Sequence, residues 1–183
     1  VVLTFDDGPS SRNTPKVLDV LASQGISAVF FVLGEHLAKK TGQELVSRAK
    51  REGHVIGNHS YSHSNLRALP KDKIIDEIKR TEDLIATCTA GRCDLFRPPY
   101  GATGSVVGEV LHDLGYTQVL WTVDTMDWKY KKEAKWVSYG MDQIKAREDS
   151  IVLMHDIHAT TADNLSRFIA KIKKIRNTKF AVL

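Results

Sequence analysis

Short apolar runs alternate along the chain with longer segments whose apolar residues recur every three or four positions. The short runs predict β-strands and the longer segments predict helices, because these spacings match the side-chain repeat of each element. The runs are apolar at nearly every position, as in strands that are covered on both faces. Strands are predicted at residues 1–5, 28–33, 54–56, 95–96, 118–123, 150–154 and 179–183.

Helices are predicted between nearly all of these strands. The first begins at Thr14, a good N-cap, with Pro15 at the first helical position, and it ends near Gly25. Strict alternation of strands and helices implies right-handed crossovers and therefore a parallel sheet. The pattern fits both a barrel and an open doubly wound sheet. The other helices are predicted at residues 43–52, 70–87, 105–114, 133–146 and 162–175.

Composition narrows the class of protein. The 183 residues are 42% hydrophobic and 26% charged, which predicts one globular domain over residues 1–183 and excludes disordered and fibrous chains. The longest apolar run, residues 28–33, is too short to span a bilayer. A net charge of +4 is too small to indicate a nucleic-acid partner. The chain begins at Val1 without a Met, so we expect that a targeting segment once preceded it and was removed.

Two cysteines, Cys88 and Cys93, lie close together around a glycine-containing turn. An isolated pair at this spacing is a poor metal site, because a structural metal needs more ligands. The spacing fits a short-loop disulfide in an exported protein and two reduced thiols near a helix end equally well.

Polar residues capable of chemistry follow the predicted strands at their ends. In parallel α/β folds, active sites are built at the C-terminal ends of the strands, so these residues are expected to meet at one rim. They are Asp6 and Asp7 after the first strand, His59 and His63 after the third, Arg97 after the fourth, Asp124 and Asp127 after the fifth, and His155 after the sixth.

His59 and His63 are four residues apart and would share one face of a helical turn. Two imidazoles with a carboxylate from Asp7 or Asp6 form a ligand set of the catalytic zinc type, with one position open for water. A division of labour is then economical, since one aspartate binds the metal and the other takes a proton from the bound water. The alternatives are capping or solvated histidines and a simple Asp-Gly-Pro turn.

Four other residues have candidate roles. Arg97 precedes two prolines and can hold a carboxylate bidentately, and Tyr100 offers a backbone N–H that can stabilise an oxyanion. His155 ends a strand and can act as a general acid if Asp127 or Asp124 raises its pKa. Trp128 can wall the site or stack on a sugar ring. The alternatives are a surface arginine and a buried structural tryptophan.

Five motifs stand in order along the chain: TFDDGP at 4–9, HSYSH at 59–63, RPPYG at 97–101, DTMDW at 124–128 and LMH at 153–155. Together they closely resemble the polysaccharide deacetylase family, carbohydrate esterase family four. The resemblance implies a distorted (β/α) barrel with fewer than eight units, which agrees with about seven parallel strands and favours the barrel over the open sheet.

The resemblance also implies the role of each motif residue. Asp6 matches the catalytic base and Arg97 the arginine that tethers it. Asp7, His59 and His63 match the metal ligands.

The remaining roles concern the leaving group and the substrate. His155 resembles the general acid, with Asp127 as its first candidate partner and Asp124 as its second. The substrate-binding residues implied are Tyr100, whose backbone N–H joins the oxyanion hole, Leu153, which lines the pocket for the acetyl methyl group, and Trp128, its aromatic wall.

The activity implied is metal-dependent removal of N-acetyl groups from N-acetylglucosamine units of a polysaccharide, with release of acetate. The expected substrate is bacterial peptidoglycan. The alternatives are chitin or its oligomers, acetylated xylan, and a sugar-binding barrel that has lost activity. The expected metal is Zn²⁺, with Co²⁺, Ni²⁺ or Fe²⁺ as alternatives. Export to a wall polymer favours a Cys88–Cys93 disulfide, and the protein is expected to be a monomer without a membrane span.

Overall fold

The computed structural model describes residues 1–131 and 133–183, which are built around a sheet of seven parallel strands. The spatial order is β5-β4-β3-β2-β1-β7-β6, so the first strand lies near the centre. The strands are β1 Val2–Asp6, β2 Val29–Val32, β3 Val55–Asn58, β4 Leu95–Phe96, β5 Thr117–Gln118, β6 Val123–Asp124 and β7 Ile151–His155.

Helices connect most of the strands, as the sequence predicted, and every pair of neighbouring strands is parallel. Among the described residues, no helix combines the length and apolar character needed to cross a membrane. The short helix α2 was not predicted. The helices are α1 Thr14–Gln24, α2 Gly34–Leu37, α3 Lys40–Arg51, α4 Lys71–Thr89, α5 Ser105–Asp113, α6 Lys135–Lys145 and α7 Ala159–Ile172.

The sheet curls into a half-barrel with β5 and β6 at its two edges, which confirms the barrel-like α/β fold. Two strand predictions were wrong. The run 118–123 divides into β5 and β6, because the carbonyls of Val119 and Leu120 turn to accept hydrogen bonds from a buried arginine. The run 179–183 forms only one bridge, between Ala181 and Val2, and its last two residues are exposed.

The start of α1 also differs from the prediction. Asn13, and not Thr14, occupies the N-cap position. The Thr14 hydroxyl accepts a hydrogen bond from the Ser10 backbone N–H and contacts the buried carboxylate of Asp156. Thr14 therefore joins the loop after β1 to the end of β7.

Side chains alternate between the two faces of the sheet and fill two separate clusters. The larger cluster packs strand residues such as Leu3, Phe5 and Phe30 against the helices. The smaller one lies on the other face and contains Val29, Phe31 and Val119 with the partly buried Val2, Val55 and Leu95. Helices therefore cover one face, and the curled sheet covers the other.

The disulfide expected between Cys88 and Cys93 is absent from the structure, where both cysteines are free. Cys88 lies in the last turns of α4 and is half-buried. Cys93 is part of the larger core cluster, and its thiol donates to the Leu95 carbonyl over 3.2 Å. Burial raises the pKa of the Cys93 thiol to about 11, so it behaves as an inert core residue.

A buried histidine at the start of β3 makes the stability of the fold depend on pH. The His54 side chain is 2% exposed, and its Nδ1 accepts a hydrogen bond from the Ala28 backbone N–H over 3.1 Å. Burial lowers its pKa, so the folded protein keeps the ring neutral where the unfolded chain, with a pKa of about 6.5, takes up a proton. Unfolding at acidic pH is therefore favoured by proton binding.

We predict that the free energy of unfolding decreases as pH falls below about 6.5, by up to ~1.4 kcal/mol per pH unit from this one group. His54→Asn keeps an acceptor near the Nδ1 position and removes the titrating group. The free energy of unfolding of this variant should therefore increase less with rising pH than that of the wild type. Urea denaturation at several pH values measures the difference. His112→Asn, at a 91% exposed side chain, is the control. Parallel curves for the wild type and His54→Asn would contradict the prediction.

Candidate functional site

Six of the eight residues predicted to share a rim line one cavity of about 410 Å³ at the C-terminal ends of the strands. The other two, Arg97 and Asp127, are fully buried and contact the lining residues Asp6 and His155. The sheet register sets the floor of the cavity, because Asp6 at the end of β1 pairs directly with His155 at the end of β7. Loops after β3, β4 and β6 build the walls. The lining residues are Asp6, Asp7, His59, His63, Tyr100, Trp121, Asp124, Trp128, Leu153 and His155.

Asp7, His59 and His63 form a group that could hold a metal ion, with one ligand atom from each lying within 4.8 Å of the others. Asp7 Oδ1 is 3.4 Å from His59 Nε2 and 3.2 Å from His63 Nε2. It is buried and has no hydrogen-bond partner among the described residues. The structure thus brings Asp7, and not Asp6, to the two histidines.

The orientation and ionisation of these side chains fit a cation. His59 Nδ1 lies 2.6 Å from the Arg97 carbonyl, which can only accept, so Nδ1 carries the proton and Nε2 presents its lone pair to Asp7. Burial raises the pKa of Asp7, but its polar contact with His59 and the positive charge of the His155 imidazolium outweigh burial, so the pKa is lowered. Burial lowers the pKa of His63, which favours the neutral ring that a metal requires.

The spacing of the two histidines predicted a helical turn, and this prediction was wrong. The segment between them is an irregular loop in which Ser60 and His63 have positive φ angles of 71° and 58°. The imidazoles converge because the loop reverses direction, with ring centroids 5.1 Å apart. The spacing therefore identified two histidines that do converge, although a loop and not a helical turn brings them together.

Asp6 faces a buried arginine. Arg97 Nη1 donates to Asp6 Oδ1 and to Thr4 Oγ1, each over 2.7 Å, and both charged side chains are almost fully buried. The contact uses one guanidinium nitrogen and is not the bidentate fork that was expected, because Nε and Nη2 donate to the carbonyls of Val119 and Leu120. Asp6 is therefore held in place beside the candidate metal ligands without belonging to their group.

His155 is paired with Asp127, the first of its two predicted partners. His155 Nδ1 lies 2.7 Å from Asp127 Oδ1, while Asp127 Oδ2 accepts from the His155 backbone N–H and the Thr161 hydroxyl. Burial alone would lower the pKa of His155, but the hydrogen bond and charge of Asp127 raise it to about 9. Asp124 lines the cavity as well, but its Oδ1 accepts from the Met126 backbone N–H.

Aromatic side chains form the open edge of the cavity. Tyr100 is 68% exposed and Trp128 43% exposed, and Tyr100 contacts the His63 ring edge-to-face. Leu153 is buried two residues before His155 on the same face of β7, since side chains alternate along a strand. Trp121 also lines this edge and was not predicted.

Sequence reasoning missed Thr161 as well as Trp121. Trp121 follows a short strand and packs over Gly101. The sequence shows a tryptophan at this position, but it does not show which way the side chain points. Thr161 lies in the first turn of α7, and its contact with Asp127 depends on how that helix docks. A Ser or Thr near the start of a helix after a predicted site residue is the only signal that could have indicated it.

Comparisons with known proteins agree with this geometry. The sequence profile of the polysaccharide deacetylase family matches residues 1–119. The chain is 40% identical over 176 residues to peptidoglycan-N-acetylglucosamine deacetylase PgdA of Listeria monocytogenes, covering 94% of this chain and 36% of PgdA. It is 36% identical to peptidoglycan-N-acetylmuramic acid deacetylase PdaA of Bacillus subtilis, covering 95% of this chain and 66% of PdaA.

Among solved structures, the Bc1960 peptidoglycan N-acetylglucosamine deacetylase superposes with a TM-score of 0.92 at 33% identity, covering 100% of this chain and 85% of that one. The chain thus spans about a third of the length of PgdA and just under two thirds of PdaA.

We predict that the purified chain binds one equivalent of Zn²⁺ after chelator treatment and dialysis, and that His63→Ala weakens binding by more than about 100-fold. The reason is that even outer partners of metal ligands account for about 10–100-fold. Isothermal titration calorimetry measures the affinity, and His112→Ala, at an exposed site outside the cavity, is the control. Equal affinity in His63→Ala and the wild type would contradict the assignment.

Proposed function

Because this chain belongs to the polysaccharide deacetylase family, we propose that it is a metal-dependent hydrolase that removes N-acetyl groups from N-acetylglucosamine units of a polysaccharide, releasing acetate. One observation carries the proposal. The same cavity is lined by a possible metal-ligand group, a carboxylate held by an arginine and a histidine paired with a carboxylate. Together these groups could supply the metal, the base and the acid that amide hydrolysis requires.

Asp7, His59 and His63 would hold the metal, and Zn²⁺ suits two imidazoles and one carboxylate. When bound, the ion would polarise the acetyl carbonyl and lower the pKa of a water molecule. Asp6 would take the proton from that water, and its carboxylate lies beside the proposed ligands, with Oδ2 3.8 Å from His59 Nε2. Arg97 fixes the direction of the carboxylate through Oδ1 and leaves Oδ2 toward the cavity.

His155 would complete the reaction as general acid. The C–N bond of the amide breaks, the carbonyl carbon keeps the hydroxyl oxygen, and His155 gives its proton to the departing amine nitrogen. Asp127 holds Nδ1, so the other nitrogen, Nε2, is free to face the substrate. The raised pKa keeps this histidine protonated at neutral pH, as an acid must be.

The edge of the cavity would bind the acetyl group of the substrate. The backbone N–H of Tyr100 would stabilise the oxyanion, and Leu153 and Trp128 would enclose the methyl group. Trp121 adds apolar surface to the same edge, and the exposed rings of Tyr100 and Trp128 offer stacking surfaces for sugar rings.

We assign peptidoglycan as the substrate on two grounds. The relatives with the strongest similarity named above are peptidoglycan deacetylases, one for N-acetylglucosamine and one for N-acetylmuramic acid. The edge of the cavity is also exposed at Tyr100 and Trp128, which favours a long polymer as the substrate. Residues 1–183 would form one catalytic domain that acts outside the cell, as a monomer, on the wall. Chitin, acetylated xylan and an inactive sugar-binding barrel are the competing outcomes.

We predict acetate release from peptidoglycan, stronger than from chitin oligomers or acetylated xylan, and its loss on adding a chelator. Asp6→Asn and His155→Ala should each lower kcat by about 10²–10⁴-fold, because each removes one proton transfer. Mass spectrometry of digested wall then identifies which sugar carries the free amine. Absence of acetate from every substrate with added Zn²⁺ or Co²⁺ would leave the inactive barrel as the correct interpretation.

We predict that the alkaline limb of the pH–rate profile reports His155, with activity falling as pH rises through about 9. Asp127→Asn removes the charge that raises this pKa, so the limb should move to lower pH by about 1–3 units. The measurement is kcat between pH 5 and 10. Asp124→Asn serves as the comparison and should leave the limb in place; an equal shift in both variants would contradict the pairing.

A further inference from the structure

The loop that carries two of the three metal ligands has no regular secondary structure to hold it. It runs from His59 to His63, and Ser60 and His63 have left-handed backbone angles. Such angles are disfavoured for residues other than glycine. Contacts from outside the loop must therefore stabilise this conformation.

The backbone N–H groups of the loop show where that support comes from. His59 N–H donates to the Val32 carbonyl of the neighbouring strand, and the N–H groups of Ser60 and His63 donate to side chains two and three residues earlier. The two central N–H groups, of Tyr61 and Ser62, have a single acceptor in common. It is the carboxylate of Glu77, in the second turn of α4.

Glu77 binds the loop with both of its oxygens. Oε2 accepts from the Tyr61 and Ser62 backbone N–H groups at 2.9 and 2.8 Å, and Oε1 accepts from the Ser62 hydroxyl at 2.7 Å. The residue is 9% exposed, and no lysine or arginine of the described residues forms an ion pair with it. Its charge is therefore balanced by these three donors, which makes the hydrogen bonds stronger than neutral ones.

The carbonyl groups of the loop are held from the other side. The first two N–H groups of α2, those of Gly34 and Glu35, donate to the carbonyls of Ser60 and Tyr61, each over 3.0 Å. The Arg80 guanidinium, three residues after Glu77 on α4, stacks on the Tyr61 ring at 3.6 Å. The loop is thus clamped between α2 and α4, and Glu77 supplies the only charged hydrogen bonds in the clamp.

We propose that Glu77 is a positioning residue for the metal centre, which keeps the loop in the conformation that directs His59 and His63 toward Asp7. The inference rests on the proposed metal site and extends it to a residue that does not line the cavity. Without the carboxylate, the ligand-competent loop is one conformation among several. The apparent dissociation constant for the metal then rises by the inverse of the competent fraction.

The test measures metal affinity and ligand geometry directly. Chains of residues 1–183 carrying Glu77→Ala, Glu77→Gln or no change are stripped of metal and titrated with Zn²⁺ by calorimetry. Co²⁺ titrations add the visible absorption spectrum, which reports the arrangement of the ligands. We expect affinity to fall about 10–100-fold in Glu77→Ala, as for other groups that orient ligands. Glu77→Gln keeps an acceptor for the two N–H groups, so its loss should be smaller.

Two variants on α4 serve as controls. Asp83→Asn removes a charge from the exposed side of the same helix and should leave affinity unchanged. Ile85→Ala creates a cavity in the core, because Ile85 is 1% exposed, and destabilises the fold without touching the loop. If loss of stability alone weakened metal binding, Ile85→Ala would weaken it as much as Glu77→Ala.

The outcomes distinguish a wrong role for Glu77 from a wrong metal site. Wild-type affinity and spectrum in Glu77→Ala, or an equal loss in Ile85→Ala, would overturn the role of Glu77. If Glu77→Ala does not fold, the same criteria apply to Glu77→Gln, and unchanged affinity in that variant overturns the role. If the wild type itself binds no Zn²⁺ or Co²⁺, the metal site is wrong, and the positioning role is overturned with it.

Discussion

A fully buried guanidinium is the constraint around which the site is arranged. Arg97 is 0% exposed, and a charge removed from water must be matched by hydrogen bonds and an opposite charge. Its partners come from two segments: the Asp6 carboxylate and Thr4 hydroxyl of β1, and the carbonyls of Val119 and Leu120 after β5. Satisfying one side chain therefore draws the edge of the sheet toward its centre, ends β5 early and fixes the direction of the aspartate.

The cavity is also where the backbone is under strain. Among the described residues, seven other than glycine have positive φ, and five of them lie on or beside the cavity. Such angles persist only where the surroundings enforce them, and here they turn side chains toward one point that regular strands could not reach. The stable sheet and the clamp around the histidine loop supply that enforcement. The five are Asp7, Ser60, His63, Tyr100 and Met126.

The sequence predicted the parallel architecture and nearly every cavity residue, because strand ends and motif residues are local properties. It placed His59 and His63 on a helical turn, since spacing alone does not reveal a loop that reverses. It expected a bidentate Arg97, because the competing carbonyls belong to a distant segment. Thr161 carries only the weak signal of its position near a helix start, and Glu77 carries no local signal, since the importance of both depends on how α7 and α4 dock against the loops.

Asp6 and His155 occupy directly paired positions on adjacent strands, so the backbone ladder sets the distance between the proposed proton acceptor and donor. Strand separation is nearly invariant, at about 4.8 Å, and does not depend on the lengths of the connecting loops. Evolution could consequently lengthen, shorten or replace those loops to suit a new polymer without retuning the reacting centre. Substrate preference and chemical competence are thus separable properties of this architecture, which allows one to diversify while the other is inherited intact.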